Sequence, residues 1–172
     1  RAVAKVCGQV PIEGISTGTN NAFPEHREPT ITGLAVGLVA TGRIPESVAF
    51  TLNKLLRVEI NGGERRDIAL VDVVVSIERY VGARALWRTE NLRELFVTFS
   101  DPEVIGMSAI AGLLEPVRRN DSGGLHLLLE VPEEARIPLQ VPIAPGLIRT
   151  VGVQSWQPLE AGIPVTLKQS SG

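Results

Sequence analysis

Between two apolar stretches, Val10 to Ser16 and Thr30 to Thr41, the chain carries Gly14-Ile15-Ser16-Thr17-Gly18-Thr19-Asn20-Asn21-Ala22-Phe23-Pro24, which holds almost no residue that a core would want. Gly18 lets a backbone come close to a phosphate, and exposed amides can donate to its oxygens. Thr19, Asn20 and Asn21 add a hydroxyl and two carboxamides, groups that bond to ribose or phosphate without bringing charge. The same letters also suit an ordinary Asx or Ser/Thr turn.

A second position that invites chemistry is Asp72, which interrupts the apolar run Leu70 to Ile77. Burying an unpaired carboxylate costs several kcal/mol, so Asp72 must meet solvent, a donor or a ligand. Its alternatives are a ligand contact and a local pairing with Arg66 or Arg79. Other residues argue against particular mechanisms. No Asp-x-Asp pair is present for Mg²⁺, and Glu133-Glu134 beside Pro132 reads as a solvated turn. Zinc would need Cys7, His26 and His126 drawn together from remote places. His126 is expected on the solvent face of its strand, His26 in a loop, and Cys7 as a small buried hydrophobe. Ser108 lacks the Gly-x-Ser-x-Gly elbow of a serine nucleophile, and neither a P-loop lysine motif nor a Gly-x-Gly-x-x-Gly fingerprint occurs. Trp87 and Trp156 can stack on an adenine or pack at domain contacts.

The elements that must position these groups fall into two styles. Pro29 suits a first helical turn, and Ile31, Leu34, Ala35 and Leu38 follow helical spacing, with Val36 and Val39 filling the opposite side. Such a helix, apolar all round, is expected to be buried, with Gly33 and Gly37 allowing another backbone to approach closely and Gly42 ending it. Beyond residue 50 the period becomes two. Leu56, Val58 and Ile60 lead into Asn61-Gly62-Gly63, a turn of positive-φ residues, and a return strand from Ile68 to Val75 is expected to be central. A second hairpin is expected around Asn120 to Gly124 before Leu125 to Val131, and a third around Pro145-Gly146. Asn91 to Phe99 reads as a short turn feeding a strand, whereas Val104 to Leu114 has no decisive period.

The chain has 172 residues, enough for one domain with a real core or a domain plus part of another. Hydrophobic residues make up 44% and aromatics only 4%, so that core must be built from Val, Leu, Ile and Ala. A net charge of -2, with no basic run longer than a pair, excludes recruitment of nucleic acid or an anionic membrane by bulk charge. One cysteine forbids an internal disulfide, and no apolar run reaches the ~18 residues of a membrane span. A cytoplasmic location is therefore expected. A chain opening on Arg1 rather than Met reads as part of a longer or processed product.

The string Gly18-Thr19-Asn20-Asn21-Ala22-Phe23-Pro24 resembles the Gly-Thr-x-x-Phe loop of the superfamily containing ATP-NAD kinases and lipid kinases with a diacylglycerol-kinase-type catalytic domain. With Ile15-Ser16-Thr17 before it and Glu28-Pro29-Thr30 after it, the longer form is similar to the acetoin-catabolism branch of that family. Ile68-Ala69-Leu70-Val71-Asp72 stands where NAD kinases have an Ala-Leu-Asn-Glu strand. Ile105-Gly106-Met107-Ser108-Ala109-Ile110-Ala111-Gly112 is similar to the segment whose serine and small residues line the dinucleotide site.

The resemblance implies an α+β or α/β protein: residues 1–45 as the end of an N-terminal α/β nucleotide-binding domain, and 46–172 as a mostly β NAD kinase-like C-terminal domain, incomplete at its end. It implies nucleotide binding by Gly18, Thr19, Asn20, Asn21, Asp72 and Ser108. It further implies a small-molecule nucleotide partner, ATP or another phosphoryl donor with Mg²⁺, NAD or a related acceptor, and a homo-oligomer assembled through the β-rich part. Two departures stand out. The family's Gly-Gly-Asp-Gly-Thr motif, implied to bind phosphates and supply the catalytic aspartate, is absent from these 172 residues, so the piece alone is expected to be inactive and to hold no catalytic residue. Val71-Asp72 replaces the Asn-Glu pair, removing an amide and shortening the carboxylate. The competing expectations are a non-catalytic nucleotide-binding or regulatory protein of acetoin metabolism and a structural oligomerisation domain.

Overall fold

The computed structural model describes residues 1–16, 27–78 and 87–167. Helix α1 spans Pro29–Ala40. Glu28 caps it by accepting the Ile31 N–H at 2.9 Å, and that bond holds the carboxyl below its ordinary range. Gly42, at φ 71, closes the helix as the Arg43 N–H returns to the Leu38 carbonyl at 2.9 Å. The expectation of a buried helix is corrected: Ile31 and Leu34 are 65% and 62% exposed, and Thr32 is its one buried residue. Among the described residues no neighbour comes within 4 Å of a Cβ built on Gly33 or Gly37, so the expected close packing is not seen there. Sequence periodicity reports how apolar a helix is, not what covers it. A single-turn helix α2 follows at Glu46–Ala49.

Strands β1 (Leu56–Ile60) and β2 (Arg65–Ala69) form the expected hairpin, with Asn61, Gly62 and Gly63 all at positive φ in its turn. The return strand does not run on to Val75. It ends at Ala69, and Asp72–Ser76 forms a separate strand β3 in another sheet. Thr98 makes the break by donating its hydroxyl to the Leu70 carbonyl at 2.9 Å and its N–H to the Val71 carbonyl at 2.8 Å. β3 is an edge strand, not the central one expected.

The larger sheet is antiparallel and five-stranded, in the order β3-β4-β5-β7-β6, with β4 at Leu92–Val97, β5 at Gly124–Glu130, β6 at Ile137–Ala144 and β7 at Leu147–Leu159. The hairpin at Pro145-Gly146 forms between β6 and β7 as expected. The one expected at Asn120 to Gly124 does not form: Val117 makes an isolated bridge to Ser100, and β5 pairs with β4 and β7 instead. Helix α3 (Met107–Leu114) resolves the aperiodic segment and covers one sheet face. There Leu95, Val97, Leu125 and Leu127 pack with Ala109, Ile110 and Ala111, each of the large aliphatic side chains contributing about 1.5–3 kcal/mol by its burial. A β-bulge between Leu128 and Leu129 skips one residue of β7, which keeps Leu129 and Val153 on this face. Gly112 lets α3 sit against the chain at Asp101, since an added Cβ would lie 2.5 Å from that backbone.

Candidate functional site

Period-two alternation sorts the sheet residues onto two faces, and each face carries one polar feature. Asp72 opens β3 and pairs with the fully buried Val97, so it projects to the same face as α3. Ser108 lies in the first turn of α3, 5% exposed. α3 packs against β3, β4 and β6, which brings the elements carrying Asp72 and Ser108 together, although no hydrogen bond joins the two side chains. Asp72 is half-buried, and its carboxyl makes no hydrogen bond or ion pair with a described residue; desolvation raises its pKa above the ordinary value of 3.8. Arg66, one of its two expected partners, instead meets Glu59 at 3.3 Å, and Arg79 lies outside the described residues. Gly106, at φ 109, turns the chain into α3 and donates its N–H to the Pro142 carbonyl at 3.0 Å, fixing the start of the helix on the sheet.

Gly18, Thr19, Asn20, Asn21 and His26 lie outside the described residues. Cys7 is half-buried, with weak Sγ contacts to the carbonyls of Ala4 and Gly8.

On the opposite face the structure corrects the reading of His126, which is 6% exposed and not on a solvent face. Its ring stacks on Phe96 with centroids 4.2 Å apart and planes 8° apart. Nε2 lies 2.6 Å from Glu94 Oε2, and Nδ1 lies 3.3 Å from the amide nitrogen of Gln157. A carboxylate accepts, so Nε2 is the donor to Glu94. Strand register builds this row: Phe96 and Gln157 stand directly across from His126 on its two neighbours, and Glu94 lies two residues from Phe96. The polar Glu94 beside Leu95 was a visible departure in sequence, but which strand neighbours it was not. A shallow pocket of about 150 Å³ opens here, lined by His126, Leu128, Ser155, Trp156 and Gln157.

Trp156 donates its indole N–H to Glu115 at 2.8 Å and so ties β7 to the end of α3. Lys54 donates to the carbonyls of Arg118 and Gly123 at 3.0 and 2.8 Å, joining the segment before β1 to the turn before β5. Desolvation lowers its pKa from the ordinary value. Among the described residues no group of three or more His, Cys, Asp or Glu side chains could hold a metal. No described helix is long and apolar enough to cross a membrane.

An all-antiparallel sheet covered by one helix, beginning with the Lys54 tether, is thus the unit that carries both faces. Residues 54–172 match the model of the acetoin catabolism protein X C-terminal domain, and the chain belongs to that family. It is 59% identical over 175 aligned positions to acetoin catabolism protein X of Cupriavidus necator strain H16, covering 100% of this chain and 49% of that protein. The chain thus spans about half the length of this curated relative. No solved structure matches it.

Proposed function

We propose that the chain is the C-terminal part of a cytoplasmic ATP-NAD kinase-like phosphotransferase that works in acetoin catabolism. In this reading it holds the nucleotide, and residues outside these 172 supply the catalytic chemistry. The observation that carries the reading is Asp72: a half-buried carboxyl, desolvated and without a described partner, on the sheet face that α3 covers. A carboxylate held this way accepts hydrogen bonds from ribose hydroxyls, and the bond it makes is stronger for being partly withdrawn from water. The acetoin connection is supported by the family match and by the printed name of the Cupriavidus necator relative. Phosphoryl transfer is supported by the Gly-Thr-x-x-Phe resemblance, and in such reactions catalysis is positioning plus charge stabilisation.

The test is to incubate the full-length protein with ATP, Mg²⁺ and NAD and follow NADP formation. Turnover that falls in Asp72→Ala and Ser108→Ala, with the fold kept, supports the proposal. Saturable nucleotide binding without turnover makes the protein a binder instead of a kinase, and absence of both overturns the nucleotide reading.

A further inference from the structure

The two outer edges of the five-stranded sheet are built differently. At the β6 edge the Pro142 carbonyl turns away from β7 to accept the Gly106 N–H at 3.0 Å, so Pro142 and Pro138, of the same parity, face outward. A proline has no N–H to offer a further strand, and this edge is blunted. At the β3 edge nothing comparable stands guard. The Val71 carbonyl accepts the Thr98 N–H at 2.8 Å, and Ile77 donates to the Asn91 carbonyl at 3.0 Å, so the odd-numbered residues turn their backbone groups toward β4. The N–H and C=O of Asp72, Val74 and Ser76 therefore point away from the sheet, and no described residue bonds to them. Neither proline nor lysine interrupts Asp72–Ser76. Such an open row of donors and acceptors is a template for another strand.

The sequence of the strand selects the partner. Laid antiparallel on a copy of itself about Val74, Asp-Val-Val-Val-Ser matches its outward groups one for one: Val74 faces Val74, and Asp72 faces Ser76 at both ends. The two carboxyls then stand four residues apart along the strands, about 13 Å. A parallel pairing in register would set them side by side at ~4.8 Å, where like charges repel. Residues opposite one another share a face, so Ser76 of the second copy comes to the face on which Asp72 projects. In its own chain Ser76 Oγ accepts the Glu78 N–H at 3.1 Å, which leaves its hydroxyl proton to donate. We propose that the protein forms a two-fold homodimer by antiparallel pairing of β3 with β3 of a second copy, so that each copy places its Ser76 beside the other's Asp72. Two five-stranded sheets become one continuous sheet. A carboxylate accepts several hydrogen bonds, so this donor leaves room for those of a ligand, and the dimer stands whether or not the nucleotide reading does.

The experiment is sedimentation equilibrium of the full-length protein as wild type, as Ser76→Asp, and as the exchange Asp72→Ser with Ser76→Asp. The wild type should dimerise. Ser76→Asp sets carboxylates against each other at both ends and should raise the dissociation constant about tenfold or more. Its carboxylate can still accept the Glu78 N–H, so the fold should be kept, which circular dichroism checks. The exchange restores one carboxyl opposite one hydroxyl at each end and should recover the dimer. Hydrogen exchange of the wild type needs no variant: the Asp72 and Val74 amides should be slow in the dimer and fast in the monomer. A wild type that stays monomeric, a dimer that Ser76→Asp leaves intact, or an exchange that fails to restore it overturns the proposal. Equal exchange of those amides in dimer and monomer, as when a strand of the same chain covers the edge, overturns it as well.

Discussion

Asp72 stands directly across the β3–β4 ladder from Val97, a carboxyl beside a fully buried aliphatic side chain at the open edge of the sheet. Nothing in the described fold compensates that carboxyl, so its position opposes stability when it is ionised. A group that weakens the fold where it stands is a candidate for function.

Asp72→Asn should therefore stabilise the protein at neutral pH. The sign follows from burial: with the folded-state pKa above the ordinary 3.8, folding favours the protonated acid, so the group's contribution is fully present below the ordinary value and lost as pH rises through the folded one. Urea midpoints of wild type and variant should coincide at low pH and separate as pH rises. Midpoints that stay equal at neutral pH would show that the carboxyl is compensated.

Glu94→Ala should cost about 1–3 kcal/mol, because it strands the Nε2–H of a buried imidazole. Combining it with His126→Phe, which keeps an aromatic ring over Phe96 and removes the polar nitrogens, should recover part of that loss. A double-mutant cycle in urea checks this, and a double variant no more stable than Glu94→Ala alone would contradict it.

Gly112→Ala should destabilise the protein by about 1–3 kcal/mol, since its methyl would meet the Asp101 backbone at 2.5 Å and push α3 off the sheet. The same change at Gly33 meets no atom within 4 Å and should be neutral or mildly stabilising through helix propensity. Thermal melts of the two variants compare them directly.

Much of the local structure was legible. Asn61-Gly62-Gly63 announced a turn because three positive-φ positions suit few other letters, and Pro29 with Gly42 bounded α1. The misreadings share one cause, which is that the deciding partner is remote in sequence. The run from Ile68 to Val75 is cut by Thr98, which lies far along the chain and whose bonds to the Leu70 and Val71 carbonyls leave no local signal. His126 looked like a solvent-facing residue because alternation reveals a face but not its cover; Phe96 and Glu94, supplied by another strand, decide its burial. At the candidate site the sequence singled out Asp72 as anomalous, and only strand pairing placed it on the α3 side.

The full-length protein is expected to form a homo-oligomer. The expected contact lies in the β-rich part beyond about Lys54, where Leu128 and Ile148 are exposed on the sheet, and light scattering across a concentration series checks the mass. A constant monomer mass at micromolar protein would contradict it.

The most direct test of the central claim is the affinity of the full-length protein for NAD and for ATP, measured by calorimetry in wild type, Asp72→Ala and Ser108→Ala. The account predicts binding by the wild type and a loss of about tenfold or more in the folded Asp72→Ala protein, as expected when a partly buried hydrogen bond to ligand is removed. Equal affinities in wild type and variants, or no binding of either nucleotide, would contradict it.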